Sequence, residues 1–436
     1  MTQLLDVWFG ETKAGTLSQD ETGALGYAYD PGYLAGREPR AISFSMPLQE
    51  KPYADRIVRP FFSGLLPDEG ARQRLAGALG ISAGNAFGLL EVIGGECAGA
   101  LSLYPVGKAP PAANDDGVEL LNPARLEEIL GMLRERPLLG GEEGVRLSLA
   151  GAQDKLAVCV DGEDIGLAKG GRPTTHILKP FIQALDGTVE NELFCLRLAA
   201  RLKLPASTVE MRRTGAIPFL LVERYDRTPH EDGKITRLHQ EDFCQALSVP
   251  PELKYEEEGG PGTEQALDLI GRAAARPAAD RLGFIRMLIF HYLVGNADAH
   301  AKNYALLYRD KVPDLAPLYD VVCTAAYPRL AKKLAMTIGG RSIPDTIQLQ
   351  NWLTLVPDTK GAQRLLIKDL TGLASRITKE ADELLITFEE EGITHGILKT
   401  IRGIIETRAT HLLRIAERAW SRSQPREASK APSYDG

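Results

Sequence analysis

The alternation of apolar and polar positions falls into three regimes along the 436 residues. In the first hundred, Gly and Pro break the pattern repeatedly. Short apolar runs at Leu4–Phe9, Ile42–Met46 and Leu101–Val106 predict small strands joined by turns. Ala109–Gly117 (APPAANDDG) has no apolar period and reads as a linker, after which Pro123–Arg136 reads as an amphipathic helix. Between Arg146 and Arg224 strand-like runs return at Leu156–Val160, His176–Lys179 and Pro218–Val222, with one helix predicted over Glu190–Lys203. Beyond Gln240 the spacing is almost wholly helical, predicting helices over 240–247, 263–273, 278–294, 361–375, 378–390 and 396–421. The division expected is a β-rich unit (1–108), a linker and helix (109–145), a mixed α/β part (146–237), a helical lobe (238–422) and a disordered or vector-derived tail (423–436).

Composition narrows the class. An apolar fraction of 44% and a charged fraction of 25% are those of an ordinary globular protein. The net charge of −7 and pI of 5.7 exclude a general nucleic-acid coat, although a local basic face or a basic partner would still bring the chain to DNA. Five scattered cysteines, never in CxxC spacing, argue for reduced thiols in a cytosolic compartment and against a zinc cage or disulfide framework. MTQLLDVWFGE has no basic region leading into a long apolar stretch, so no signal peptide is expected, and no window predicts a membrane span.

Chemistry concentrates in HYLVGNADAHAKNYALLY (291–308), where a buried helix stops at Gly295 and polar residues alternate with alanines. His300 has no nearby soft ligand for zinc, and no Gly-x-Ser-x-Gly elbow occurs. Phosphoryl transfer fits better. It needs a carboxylate to receive a hydroxyl proton, an oxygen ligand for magnesium on the same loop and a second metal carboxylate elsewhere. Asp298 and Asn303 stand five apart, as such a pair does in protein kinases, and Asp320 follows in the apolar run LYDV. Taken alone, the same spacing describes a helix-end turn capped by Asn296. Neither common phosphate loop is present, but SLAGAQDK (148–155) offers a small-residue turn ending in Lys155. Lys179 ends a strand and reads either as a phosphate-binding cation or as a solvated edge residue. LLVERYD (220–226) reads equally as a nucleotide hinge or as a strand end with solvated charges.

Six ordered motifs carry a resemblance: SLAGAQDK (148–155), THILKP (175–180), LVERYDR (221–227), LHQEDFCQAL (238–247), GNADAHAKN (295–303) and LAPLYDVV (315–322). Together they resemble the HipA family of toxin serine/threonine kinases over residues 145–325. The resemblance implies an α+β fold, a bilobal phosphoinositide/protein-kinase-like catalytic unit behind a small β-rich N-terminal subdomain. It implies Asp298 as catalytic base with His300 and Lys302 near the transferring phosphate, and Asn303 and Asp320 as magnesium ligands. ATP would contact Ala152, Gln153, Lys155, Lys179, Glu223, Tyr225, His300 and Tyr319. Ser148 corresponds to a serine that family members autophosphorylate, although a loop serine is also a common turn former. Gln240, Glu241 and Asp242 match a family segment without a definite role.

The implied partners are a HipB-like helix-turn-helix antitoxin, operator DNA through the antitoxin complex, and a protein substrate such as glutamyl-tRNA synthetase or another aminoacyl-tRNA synthetase. Growth arrest, persistence and repression of the operon would follow, with no membrane role. Arg212-Arg213 and the arginines of 402–422 are candidate DNA contacts or simply solvated faces. Two other classes stay open: a corepressor that binds ATP weakly, and a small-molecule kinase acting on a sugar or lipid headgroup.

Overall fold

The structure is a computed structural model, which describes residues 2–111, 117–142, 146–169 and 171–423. Part of the expected linker (112–116) and the expected tail from 424 lie outside the described residues.

Near the N-terminus, strands Leu25–Tyr29, Thr12–Gln19, Gln3–Phe9 and Leu101–Pro105 lie side by side in that order, all antiparallel. Ile42–Met46 is not a strand. Ser43 and Met46 bridge each other across a tight turn, and Tyr29 fixes it by accepting from the Ile42 N–H at 2.9 Å. The front unit also contains helices Asp55–Gly64, Glu69–Leu79 and Ala86–Ile93, which its glycines and prolines hide from a periodicity reading.

A second antiparallel sheet runs in the order Gly117–Leu120, Asp164–Lys169, Leu156–Asp161, His176–Pro180, Ile217–Glu223, Val209–Thr214. Side chains alternate across a strand. In Ile217–Glu223, Phe219 and Leu221 join a core shared with the front sheet, while Leu220 and Val222 join the core of the helical lobe. The apolar run is continuous because both faces are buried. Helices Thr188–Arg201, Thr263–Ala273, Pro277–Val294, Lys360–Glu390 and Gly396–Ser423 fill that second core.

Two helix expectations need correction. Residues 361–375 and 378–390 belong to one 31-residue helix, since nothing near Ser375 forces a break. The 240–247 stretch begins as strand His239–Asp242, paired with Ala305–Tyr308, and only Phe243–Ala246 is helical. Asp242 stops the strand by capping that helix: its carboxylate accepts from the Gln245 N–H at 2.8 Å.

Two buried polar clusters join the front unit to the rest. Arg224 and Arg227 lie between Glu96 and Asp226, with Arg227 2.6 Å from Glu96, and Asp226 also accepts from the Gly99 N–H at 2.8 Å. Glu241 accepts from Ser43 Oγ at 2.5 Å, the Phe44 N–H at 2.8 Å and Tyr308 OH at 2.5 Å. Burial, against those donors, pushes its carboxyl up to about 7. The folded chain therefore keeps a proton that the unfolded chain has released. The stability this adds is complete below the ordinary glutamate range and is lost as pH rises through about 7. Thermal unfolding is expected to give a lower Tm at about pH 8 than at about pH 6, with Glu241→Gln reducing the difference; an undiminished difference would assign it to other groups.

The five cysteines are buried and unbridged. No helix among the described residues is long and apolar enough to cross a membrane.

Candidate active site

Helix Pro277–Val294 ends where Gly295 takes φ 73°, and a Cβ there would lie 2.8 Å from Ile404 Cγ2. The following loop answers why its polar residues are separated by alanines. Ala297, Ala299 and Ala301 are small enough to sink into the core, and the groups between them bond locally. Asn296 Oδ1 accepts from the Asp298 N–H at 2.9 Å, and Ala297 N–H donates to Thr324 Oγ1 at 2.8 Å. Asn303 Nδ2 donates to the Asp298 carbonyl at 3.0 Å, which ties together the two ends of the five-residue spacing.

Asp298 stays exposed, and Tyr255 OH donates to its Oδ1 at 2.8 Å. His300 is buried edge-on against the Tyr255 ring, 5.1 Å between centroids. Burial, with Lys254 and Lys302 nearby, pushes its imidazole down to about 3, so the ring is neutral at physiological pH. Its Nδ1 is buried without a hydrogen-bond partner. Lys302 pairs with Asp68 Oδ1, and Lys254 lies 3.1 Å from Asp68 Oδ2. Burial opposes the charge on Asp68, but Lys302 and Lys254 outweigh it and hold the carboxyl below its usual range.

Strand His176–Pro180 places Lys179 in the interior, 5% exposed. Its ammonium is 2.6 Å from Glu192 Oε1 and 2.7 Å from Asp320 Oδ1. Burial opposes its charge too, but the carboxylates of Asp320 and Glu192 prevail and raise its pKa. For Asp320, burial likewise loses to Lys179 and Lys155, and its carboxyl is held well below the ordinary range. Asp320 sits at φ 55°, a left-handed conformation that aspartate tolerates better than most residues. The lysine–glutamate pair from a strand and the following helix is the arrangement by which protein kinases fix their phosphate-binding lysine.

The 148–155 turn folds against this pair. Gly151, at φ 107°, makes the reversal, and Lys155 Nζ donates to the Ala150 carbonyl at 2.8 Å. Gln153 Nε2 donates to the Pro180 carbonyl at 3.2 Å. Ser148 is fully buried, with its Oγ donating to the Leu65 carbonyl at 2.6 Å. At the opposite rim, Glu223 is exposed, and the N–H groups of Glu223 and Arg224 donate to the carbonyls of Thr208 and Thr175, each at 2.9 Å. The Tyr225 ring lies beside them, 5.6 Å from Tyr319. Tyr319 OH donates to the Lys302 carbonyl at 2.7 Å, and Tyr225 OH bonds Gln240.

A cavity of about 700 Å³ gathers these pieces. Ala152, Gln153, Lys155 and Lys179 line one side; Glu223, Tyr225 and Tyr319 another; Asp298, His300, Lys302, Asn303 and Asp320 the third. Ser148 is not on the wall. Glu192, Asp68, Lys254 and Tyr255 are among the lining residues that escaped the sequence reading. Glu192 carried a faint signal, a carboxylate among the apolar positions of its helix; Asp68 carried none. Among the described residues, no group of three or more His, Cys, Asp or Glu is placed to hold a metal. The hard oxygens of Asn303 and Asp320 nonetheless suit magnesium, which keeps its other positions for phosphate and water.

The candidate DNA-contacting arginines are largely engaged within the chain. Arg212 bonds Glu210 at 2.6 Å, Arg402 bonds Asp382 at 2.7 Å, and Arg408 lies 5.0 Å over the Tyr292 ring. The side chains of Arg418 and Arg422 lie outside the described residues.

Comparison with known proteins shows the family. The family profile described as HipA-like C-terminal domain matches residues 147–384, and the HipA N-terminal domain profile matches 5–104. The Y4mE protein of Sinorhizobium fredii is 44% identical over 395 residues, covering 88% of this chain and 94% of the relative. The serine/threonine-protein kinase toxin HipA of Shewanella oneidensis is 29% identical over 401 residues, covering 88% and 90%. A solved complex of Shewanella oneidensis HipA, HipB and operator DNA matches with a TM-score of 0.82 and 26% identity, over 96% of this chain and 99% of that one. With both profiles matched in order and the whole fold shared, this chain belongs to the HipA family of serine/threonine kinase toxins.

Proposed function

We propose that the chain is an ATP- and magnesium-dependent toxin kinase that phosphorylates a serine of a protein substrate, glutamyl-tRNA synthetase or a related synthetase. The observation that supports this most is the Lys179–Glu192–Asp320 ion cluster facing Asp298 and Asn303 across one cavity. Asp298 takes the proton from the substrate hydroxyl, whose oxygen bonds to the γ-phosphorus as the bond to the bridging oxygen breaks and ADP leaves. Tyr255 steadies the carboxylate from one side. Lys179, held by Glu192, meets the phosphate charge, and Lys155 closes the turn beneath it. Neutral His300 presents a hydrogen-bonding group without adding positive charge. Magnesium, held by Asn303 and Asp320, would neutralise the phosphates and orient the γ-phosphoryl group.

Ser148 is the proposed site of self-modification. Its hydroxyl is buried, so phosphate can be added only when the turn leaves its seat; about two negative charges then keep it from returning to a phosphate site. Ser148→Ala is expected to retain transfer to other substrates and to lose the self-labelled band. An unchanged band would place the modification elsewhere.

The proposed partner is a small helix-turn-helix antitoxin that binds operator DNA as a dimer and, with this chain, represses the operon. The engaged arginines described above leave most DNA contacts to the antitoxin. Labelled ATP and magnesium, with and without purified glutamyl-tRNA synthetase, test the kinase reading; label on Ser148 and on a synthetase serine is expected. No label on any protein would favour a corepressor. Phosphoproteomics after induced expression, compared with Asp298→Asn, identifies the substrate.

A further inference from the structure

Asp68 belongs to the front unit, more than two hundred residues before the catalytic loop, yet its carboxylate is 6% exposed and lines the cavity. Three segments of the site meet on it. Oδ1 pairs with Lys302, on the loop between His300 and Asn303. Oδ2 is 3.1 Å from Lys254, whose neighbour Tyr255 donates to Asp298 at 2.8 Å. The Asp68 N–H donates to the Gly151 carbonyl at 3.1 Å, within the 148–155 turn. Lys302 is held from its other end as well, since Tyr319 OH bonds its carbonyl at 2.7 Å.

A carboxylate that only balanced buried charge would need one lysine. This one fixes two, and each leads by a short covalent path to Asp298: four residues back along the loop from Lys302, or one residue on to Tyr255 and across its hydroxyl. We propose that Asp68 is a positioning residue for phosphoryl transfer, so that the front unit supplies a working part of the kinase site. The inference rests on the kinase reading above. Removing the carboxylate leaves two ammonium groups facing each other without their shared counter-ion; they must separate, and Asp298 and the turn move with them. A displacement on the order of 1 Å at the reacting groups costs about 10²-fold in rate.

Loss of a buried charge also loosens a fold, so charge balance has to be separated from positioning. Asp68, Lys254 and Lys302 together carry two positive charges and one negative. Asp68→Asn raises the net charge by one, and adding Lys254→Met restores it. The experiment compares kcat, KM for ATP and Tm for wild type, Asp68→Asn, Asp68→Glu and the Asp68→Asn/Lys254→Met pair, using the full chain. Expected are a kcat about 10²-fold down in Asp68→Asn with KM for ATP little changed, and partial recovery in Asp68→Glu. The double variant should regain the wild-type Tm while kcat stays low. Wild-type kcat in Asp68→Asn or in the double variant would overturn the inference. Should the asparagine variants not fold, Asp68→Glu decides alone: it keeps the charge and lengthens the arm, so a lowered kcat at unchanged Tm supports positioning and a wild-type kcat overturns it. A wild type that transfers no phosphate overturns the kinase reading itself, which the variants cannot mimic.

Discussion

Asp298→Asn is expected to lower the rate of phosphoryl transfer by about 10²–10⁴-fold while ATP still binds. Asparagine keeps the shape of the side chain and can still meet Tyr255, but it cannot take the hydroxyl proton. The loop should not collapse. Its internal bonds run through Asn296, Thr324, Asn303 and the Asp298 main chain, none of which the substitution touches. Single-turnover transfer and separate ATP titrations check the two halves. A variant with near wild-type transfer would remove Asp298 from its assigned role.

Asp320→Ala should act more broadly. It removes a proposed magnesium ligand and one of the two carboxylates that hold Lys179. Losing the only partner of a buried charge costs about 3–5 kcal/mol; here Glu192 remains, so the loss of stability is expected to be smaller. Transfer should be undetectable, and magnesium should no longer tighten nucleotide binding. Titrating ATP with and without magnesium measures this. A magnesium-dependent gain preserved in the variant would place the ion elsewhere.

The sequence disclosed what is local. Asp298 and Asn303 are close in the chain, and the spacing itself requires the turn that Gly295 begins. The apolar periods of 263–273 and 278–294 matched their helices almost to the residue, since the single interior glycine of each, Gly271 and Gly283, does not interrupt a long apolar period. Lys179 was visible as a lysine ending a strand, though its partner was not. Glu192 stands out only faintly, as a carboxylate among the apolar positions of its helix, and what it pairs with shows only when the helix is laid against the sheet. Asp68 is further removed: only the packing of the front unit on the catalytic loop makes it part of the site. The errors have the same origin. Ile42–Met46 has strand-like composition, but tertiary contacts with Tyr29 and Glu241 fold it into a turn. His239–Asp242 has no strand signature of its own and is recruited by the edge of Ala305–Tyr308. Gln240–Asp242 likewise shows its part only in space, since Gln240 bonds Tyr225 while Glu241 clasps the front unit.

In the proposed site, Asn303 and Asp320 hold one divalent ion on a nucleotide whose γ-phosphate faces Asp298. A crystal structure with magnesium and a non-hydrolysable ATP analogue tests it most directly. Expected is an octahedral ion with both side-chain oxygens at about 2.0–2.1 Å. A bound nucleotide whose ion is held by neither residue would contradict it.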